Sequence, residues 1–106
     1  GTILFFEDTA TVEMTQAKFP QYSQEFPVWA SQANGMLQFA IWTQLEAMGL
    51  GVNIQHYNPL IDDEIRKCFN VPEGWKLVAE MVFGEMLEPA APIVKIPVAE
   101  RMKIFR

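Results

Sequence analysis

The sequence predicts an α+β domain that works as part of a larger or dimeric assembly. Three observations carry this reading. The runs TILFF, VNIQHY and WKLVAEMVF are rich in β-branched and aromatic residues, and stretches with helix start and stop signals separate them. The run FPVWASQANGMLQFAIWTQL, Phe26 to Leu45, carries no charge at all. No GxGxxG or Walker loop is present, so a dinucleotide-type doubly wound fold is not indicated.

Thr2 to Phe6 reads as a buried strand that Glu7 and Asp8 end. Asp8 or Thr9 is placed to cap a helix running through Val12, Met14 and Ala17 to about Lys18, and a loop with Pro20 follows. The uncharged run then has Pro27 in a first helical turn and Gly49 at the stop. A membrane span needs about 20 mostly apolar residues, and this run is too polar, with Ser31, Gln32, Asn34, Gln38, Thr43 and Gln44 spread around it. A helix that is uncharged on every side is normally buried. In so short a chain that points to a central helix at a subunit interface, and a core helix within a monomer is the alternative. Gly35 and Ala40 permit close approach.

Val52 to Tyr57 reads as a strand after the GLG turn. Asn58 is expected to cap the next helix, with Pro59 in its first position. Asp62, Asp63 and Glu64 come early in it and Arg66 and Lys67 late, the order a helix dipole favours. That helix is expected to end near Asn70, and VPEGW to turn into a strand from Trp75 to Phe83 that Gly84 closes. From Glu85 the chain carries Pro89, Pro92 and Pro97, which disfavour a continuous helix, so residues 86–106 read as an extended, apolar arm.

Composition excludes several functions. The chain has 106 residues, 50% of them hydrophobic, which suits one domain and not two. A net charge of -5 argues against a nucleic-acid partner. The single cysteine, Cys68, permits no internal disulfide and fits a reducing, cytoplasmic setting. Cys68 is expected to be a small buried hydrophobe. No basic segment precedes an apolar one at the start, so no signal peptide is expected. The opening GTILFFED begins a strand at once, whereas termini are usually loose and polar. That points to a piece of a longer chain, with a trimmed tag or an omitted leader as the alternative.

His56 is the only histidine, and no second histidine or cysteine completes a metal set. It is either an acid–base group or, more commonly for a lone histidine, one satisfied by the backbone. Asp62, Asp63 and Glu64 are better explained by the helix dipole than by acid–base chemistry. Phe26, Trp29, Phe39 and Trp42 either stack on a planar ligand or pack a core or interface. Arg101, Lys103 and Arg106 either meet a phosphate or form a solvated tail.

The combined pattern resembles the FMN-dependent nitroreductase family, in particular its small single-domain branch from lactic-acid bacteria and fungi. The segments that carry the resemblance are GTILFFED, FPVWASQANGMLQFAIWTQLEAMGLG, IQHYNPLIDDEI and WKLVAEMVFGE, with IQHYNPLID the most specific. The match is loose through the proline-rich part and returns at ERMKIF. It covers the C-terminal half of that family's domain, residues 1–106 here, without the Arg-Arg-Ser/Thr type motif that grips the FMN phosphate and ribityl chain. The resemblance implies an antiparallel or mixed sheet with the long helix at a homodimer interface. It implies FMN as cofactor, NAD(P)H as electron donor, and a nitroaromatic or quinone as the small aromatic acceptor. Gln55 and His56 would lie beside the flavin, with a backbone N–H facing N5. Phe26 and Trp29 would wall the substrate cavity, and Arg101 and Lys103 would help bind the FMN phosphate. The other reading is a non-catalytic dimerising module that has lost flavin. Neither reading involves nucleic acid or a membrane.

Overall fold

A computed structural model describes residues 1–106. Its centre is a three-stranded antiparallel sheet in the order β1-β3-β2, with β1 Thr2–Asp8, β2 Leu50–Gln55 and β3 Trp75–Glu85. β3 lies between the other two, which explains its burial. Leu77, Ala79, Glu80 and Met81 are buried on β3, and Phe5 on β1 is the one other buried residue. β1 is therefore an edge strand and not the buried strand expected from its composition. It also continues through Glu7 and Asp8, because these pair with Lys76 and Trp75 on β3. β3 likewise runs two residues past Phe83, where Gly84 and Glu85 pair with Gly51 and Leu50.

Between Phe5 and Phe6 the register with β3 slips, because Phe5 faces Ala79 and Phe6 faces Leu77. Val78 is the extra residue of this bulge. Such an insertion breaks the hydrogen-bond ladder locally. The Asn34 side-chain amide donates to Phe6 O at 3.1 Å, and Gln38 Nε2 donates to Asn34 Oδ1 at 2.7 Å. Two of the uncharged polar residues of the long helix thus face the sheet and satisfy its irregular point.

α1, Thr9–Lys18, follows β1 directly. Asp8 caps it by accepting from the Thr11 N–H and the Thr11 hydroxyl. These bonds hold the exposed Asp8 carboxyl below its ordinary pKa. A short 3₁₀ turn at Pro20–Tyr22 leads to α2, Glu25–Ala47, which includes the whole uncharged run. Gly49 then reverses the chain at φ +82°, a conformation that favours glycine. Ile41, Trp42 and Leu45 of α2 pack on the cluster of Phe5, Ala79 and Met81. No residue of α2 is buried, and Val28, Trp29, Met36, Leu37 and Phe39 stand exposed. No helix is long and apolar enough to cross a membrane.

The segment after β2 departs from expectation. β2 ends at Gln55, two residues early, and the next helix, α3, spans Asp62–Phe69. Asn58 does not cap it and Pro59 is not in its first turn. The Asn58 amide donates instead to Leu77 O on β3 at 3.1 Å and to Asp62 Oδ1 at 2.8 Å. Residues 58–61 form turns, with Leu60 N–H on Tyr57 O and Asp62 N–H on Pro59 O. The Asn58–Pro59 peptide is cis. Acidic and basic residues do occupy the first and last turns of α3, and Asn70 ends it in the left-handed conformation at φ 50°. Arg66 donates to the carbonyls of Pro72, Glu73 and Trp75 and so folds the turn before β3. Cys68 is exposed, contrary to expectation.

Residues 86–97 have no regular structure, and α4, Val98–Arg101, is a single turn. No hydrogen bond joins residues 86–106 to the rest of the chain. The radius of gyration is 17.7 Å, against about 13 Å for a compact chain of this length. The arm therefore stands off the body.

Candidate functional site

The residues flagged in the sequence fall at three places. Gln55 and His56 lie together where β2 runs out. Gln55 pairs with Glu80 across the last rung of the β2–β3 ladder. Beyond it the next three residues are tied to β3 by other means. His56 Nδ1 lies 3.2 Å from Val78 O, the Tyr57 N–H donates to Glu80 Oε2 at 3.4 Å, and the Asn58 amide donates to Leu77 O. A carbonyl oxygen only accepts, so Nδ1 carries the proton in that contact. His56 is thus satisfied by the backbone, and its ring is exposed. The His56 backbone N–H has no partner within the chain. It is a free donor just past the end of β2.

Phe26 and Trp29 lie at the start of α2 and form an edge-on pair with ring centroids 5.2 Å apart. Phe19 packs on Phe26 and Tyr22 on Trp29, at 6.2 and 6.0 Å. These four rings make an aromatic corner between the 3₁₀ turn and α2. Phe26 is half-buried and Trp29 exposed.

An open cleft of ≈ 330 Å³ adjoins these places through Pro27 and Asn58, and none of Gln55, His56, Phe26 and Trp29 lines it. Pro27 and Ser31 of α2 form one wall, and Lys76 and Val78 of β3 the other. Glu7, which pairs with Lys76, together with Leu77 and Asn58 completes it. Val78 is the bulge residue whose carbonyl meets His56. The bulge, the cleft and the end of β2 are therefore one local arrangement.

Arg101 and Lys103 lie elsewhere, exposed on the arm, and the hydrogen bonds around them are local: Glu100 N–H to Pro97 O and Met102 N–H to Val98 O. The structure does not bond them to Gln55, His56 or the aromatic corner. Sequence reasoning missed Glu80, buried at 5% exposure in the middle of β3. The signal was present, since a carboxylate interrupts the apolar run LVAEMVF. It also misread Asn58, which is an anchor to β3 and a wall of the cleft.

Comparison with known proteins places this geometry. The profile of the nitroreductase family matches residues 1–85. The HBN1 protein of Saccharomyces cerevisiae is 41% identical over 92 residues, covering 87% of this chain and 45% of that protein. The structure superimposes on nitroreductase CinD from Lactococcus lactis, solved in complex with 4-nitrophenol, with TM-score 0.96 and 45% identity over the whole of this chain and 56% of that one. A nitroreductase crystal structure from Saccharomyces cerevisiae matches with TM-score 0.73 and 36% identity, over 82% of this chain and 48% of that one. The chain spans about half the length of the relatives it matches. The matched region holds the three-stranded sheet, the uncharged helix and the junction at His56, and the chain belongs to the nitroreductase family.

Proposed function

We propose that this chain supplies the flavin-facing half of an FMN-dependent oxidoreductase that uses NAD(P)H to reduce nitroaromatics or quinones. The observation that carries this is the free His56 N–H, held at a strand end beside an open cleft. A backbone donor in a fixed position is suited to the ring edge of a flavin. The residues present fit such a ring. They include no phosphate-gripping pair of arginines at the cleft, so the chain supplies part of the cofactor site and is not competent alone.

Bound FMN supplies reversible hydride acceptance and donation. The roles of the chain's own residues follow. Gln55 closes the β2–β3 ladder and fixes where His56 begins, and the His56 N–H would be the donor offered to the ring edge of a bound flavin. Phe26 and Trp29 wall the space for a small aromatic acceptor and keep water from it. The binding of 4-nitrophenol by CinD supports an acceptor of that size. Arg101 and Lys103 would hold the phosphate if the arm folds onto a partner. The exposed apolar face of α2 suits a homodimer, since monomers rarely leave so large an apolar face open.

The second reading, a dimerising module without flavin, is favoured by the missing phosphate grip. An FMN titration of the chain, followed by flavin fluorescence and the visible spectrum, separates the two. Saturable quenching with a shifted band is the expected result. A flavin unchanged by the chain, and still unchanged when the missing N-terminal half is added, would support the module.

A further inference from the structure

Glu80 is the one buried charged residue of the chain. Its neighbours Ala79 and Met81 belong to the cluster packed under α2, so strand alternation turns Glu80 to the opposite face, where α3 lies. Its Oε1 has no hydrogen-bond partner, and Oε2 accepts from the Tyr57 N–H alone. A buried carboxylate oxygen without a donor is costly, so apolar replacement would be the simpler choice for packing. The carboxylate sits where the β2–β3 ladder stops and the proposed flavin-facing segment starts.

We infer that Glu80 is a positioning residue that holds the Tyr57 N–H from the α3 face, and so fixes the peptide that follows His56. This rests on the proposed function for its link to flavin but not for its geometry. On one side of this segment the His56 ring is tied to the bulge carbonyl of Val78. On the other Asn58 is tied to Leu77. Glu80 holds the backbone between them. The 3.4 Å bond is long, but it is the only donor offered to a group closed off from water. With Tyr57 N–H turned inward to Glu80, the His56 N–H is the donor left to face a ligand.

The test is residue-resolved amide exchange by NMR on the chain, for the wild type, Glu80→Gln and Glu80→Leu. The Tyr57 amide should be protected in the wild type. Glu80→Gln keeps an acceptor oxygen and should retain protection within about threefold, whereas Glu80→Leu should speed Tyr57 exchange about tenfold or more. The Ala79 and Met81 amides should change little. A Tyr57 amide that exchanges as freely as an unstructured peptide in the wild type overturns the inference, even if Glu80→Leu fails to fold. Equal protection in all three proteins also overturns it. If protection follows the acceptor but added FMN leaves residues 55–57 unmoved, the anchoring stands and the flavin reading alone falls.

Discussion

Replacing Asn58 tests how the junction after β2 is held. Its amide makes two bonds, one to the Asp62 carboxylate at 2.8 Å and one to Leu77 O at 3.1 Å. A bond to a charged group contributes about 1.5–3 kcal/mol and a neutral one about 0.5–1.5 kcal/mol. Asn58 is only half-buried, and the two bonds share one amide, so they do not add fully. Asn58→Ala should therefore cost about 1–3 kcal/mol. Asn58→Asp should cost more, because it places an acceptor-only group against two acceptors, one of them charged. Protonation restores a donor, so the gap between the two variants should narrow as pH falls through the carboxylate range. Urea unfolding followed by tryptophan fluorescence measures both. If both variants lie within about 0.5 kcal/mol of the wild type, the range of an ordinary surface change, the junction is not anchored through Asn58.

Three further outcomes are expected. Asn34→Ala leaves the Phe6 carbonyl at the bulge without its donor and should lower stability by about 1–3 kcal/mol in the same unfolding assay, while Gln32→Ala on the outer face should change it little. Phe39→Asp on the exposed face of α2 should weaken self-association in sedimentation equilibrium, and a wild-type chain that stays monomeric at high concentration would count against the interface. Asp8 should titrate below its ordinary value of 3.8 in an NMR pH series. A lowered folded-state pKa means its cap on α1 is present above that range and is lost as pH falls through the lowered value, with faster exchange of the Thr11 amide as the sign.

The elements were legible where the chain's own chemistry decides them. The Asp8 cap, the Gly49 stop and the acidic-to-basic order along α3 are local signals, and the structure keeps each of them. What failed depended on contacts distant in sequence. Asn58 followed by Pro59 reads locally as a cap and first turn, but Leu77 on β3 takes the Asn58 amide. Composition made Thr2–Phe6 a buried strand, whereas its position in the β1-β3-β2 order makes it an edge. Asn34 and Gln38 looked only like polar interruptions of an apolar helix, because the bulge they serve is formed by two strands remote from them. At the candidate site, a strand leading into Gln55 was legible, but its end was read two residues late at Tyr57, and the free N–H was not legible. It depends on Val78, Glu80 and Leu77 drawing the following residues onto β3.

The most direct test of the account is an NMR titration of the chain with FMN, read at each backbone amide. The account predicts that the His56 amide shifts saturably, together with its neighbours Gln55 and Tyr57 and the indole of Trp29. Shifts confined to Arg101, Lys103 and the arm, or none at all, would contradict it.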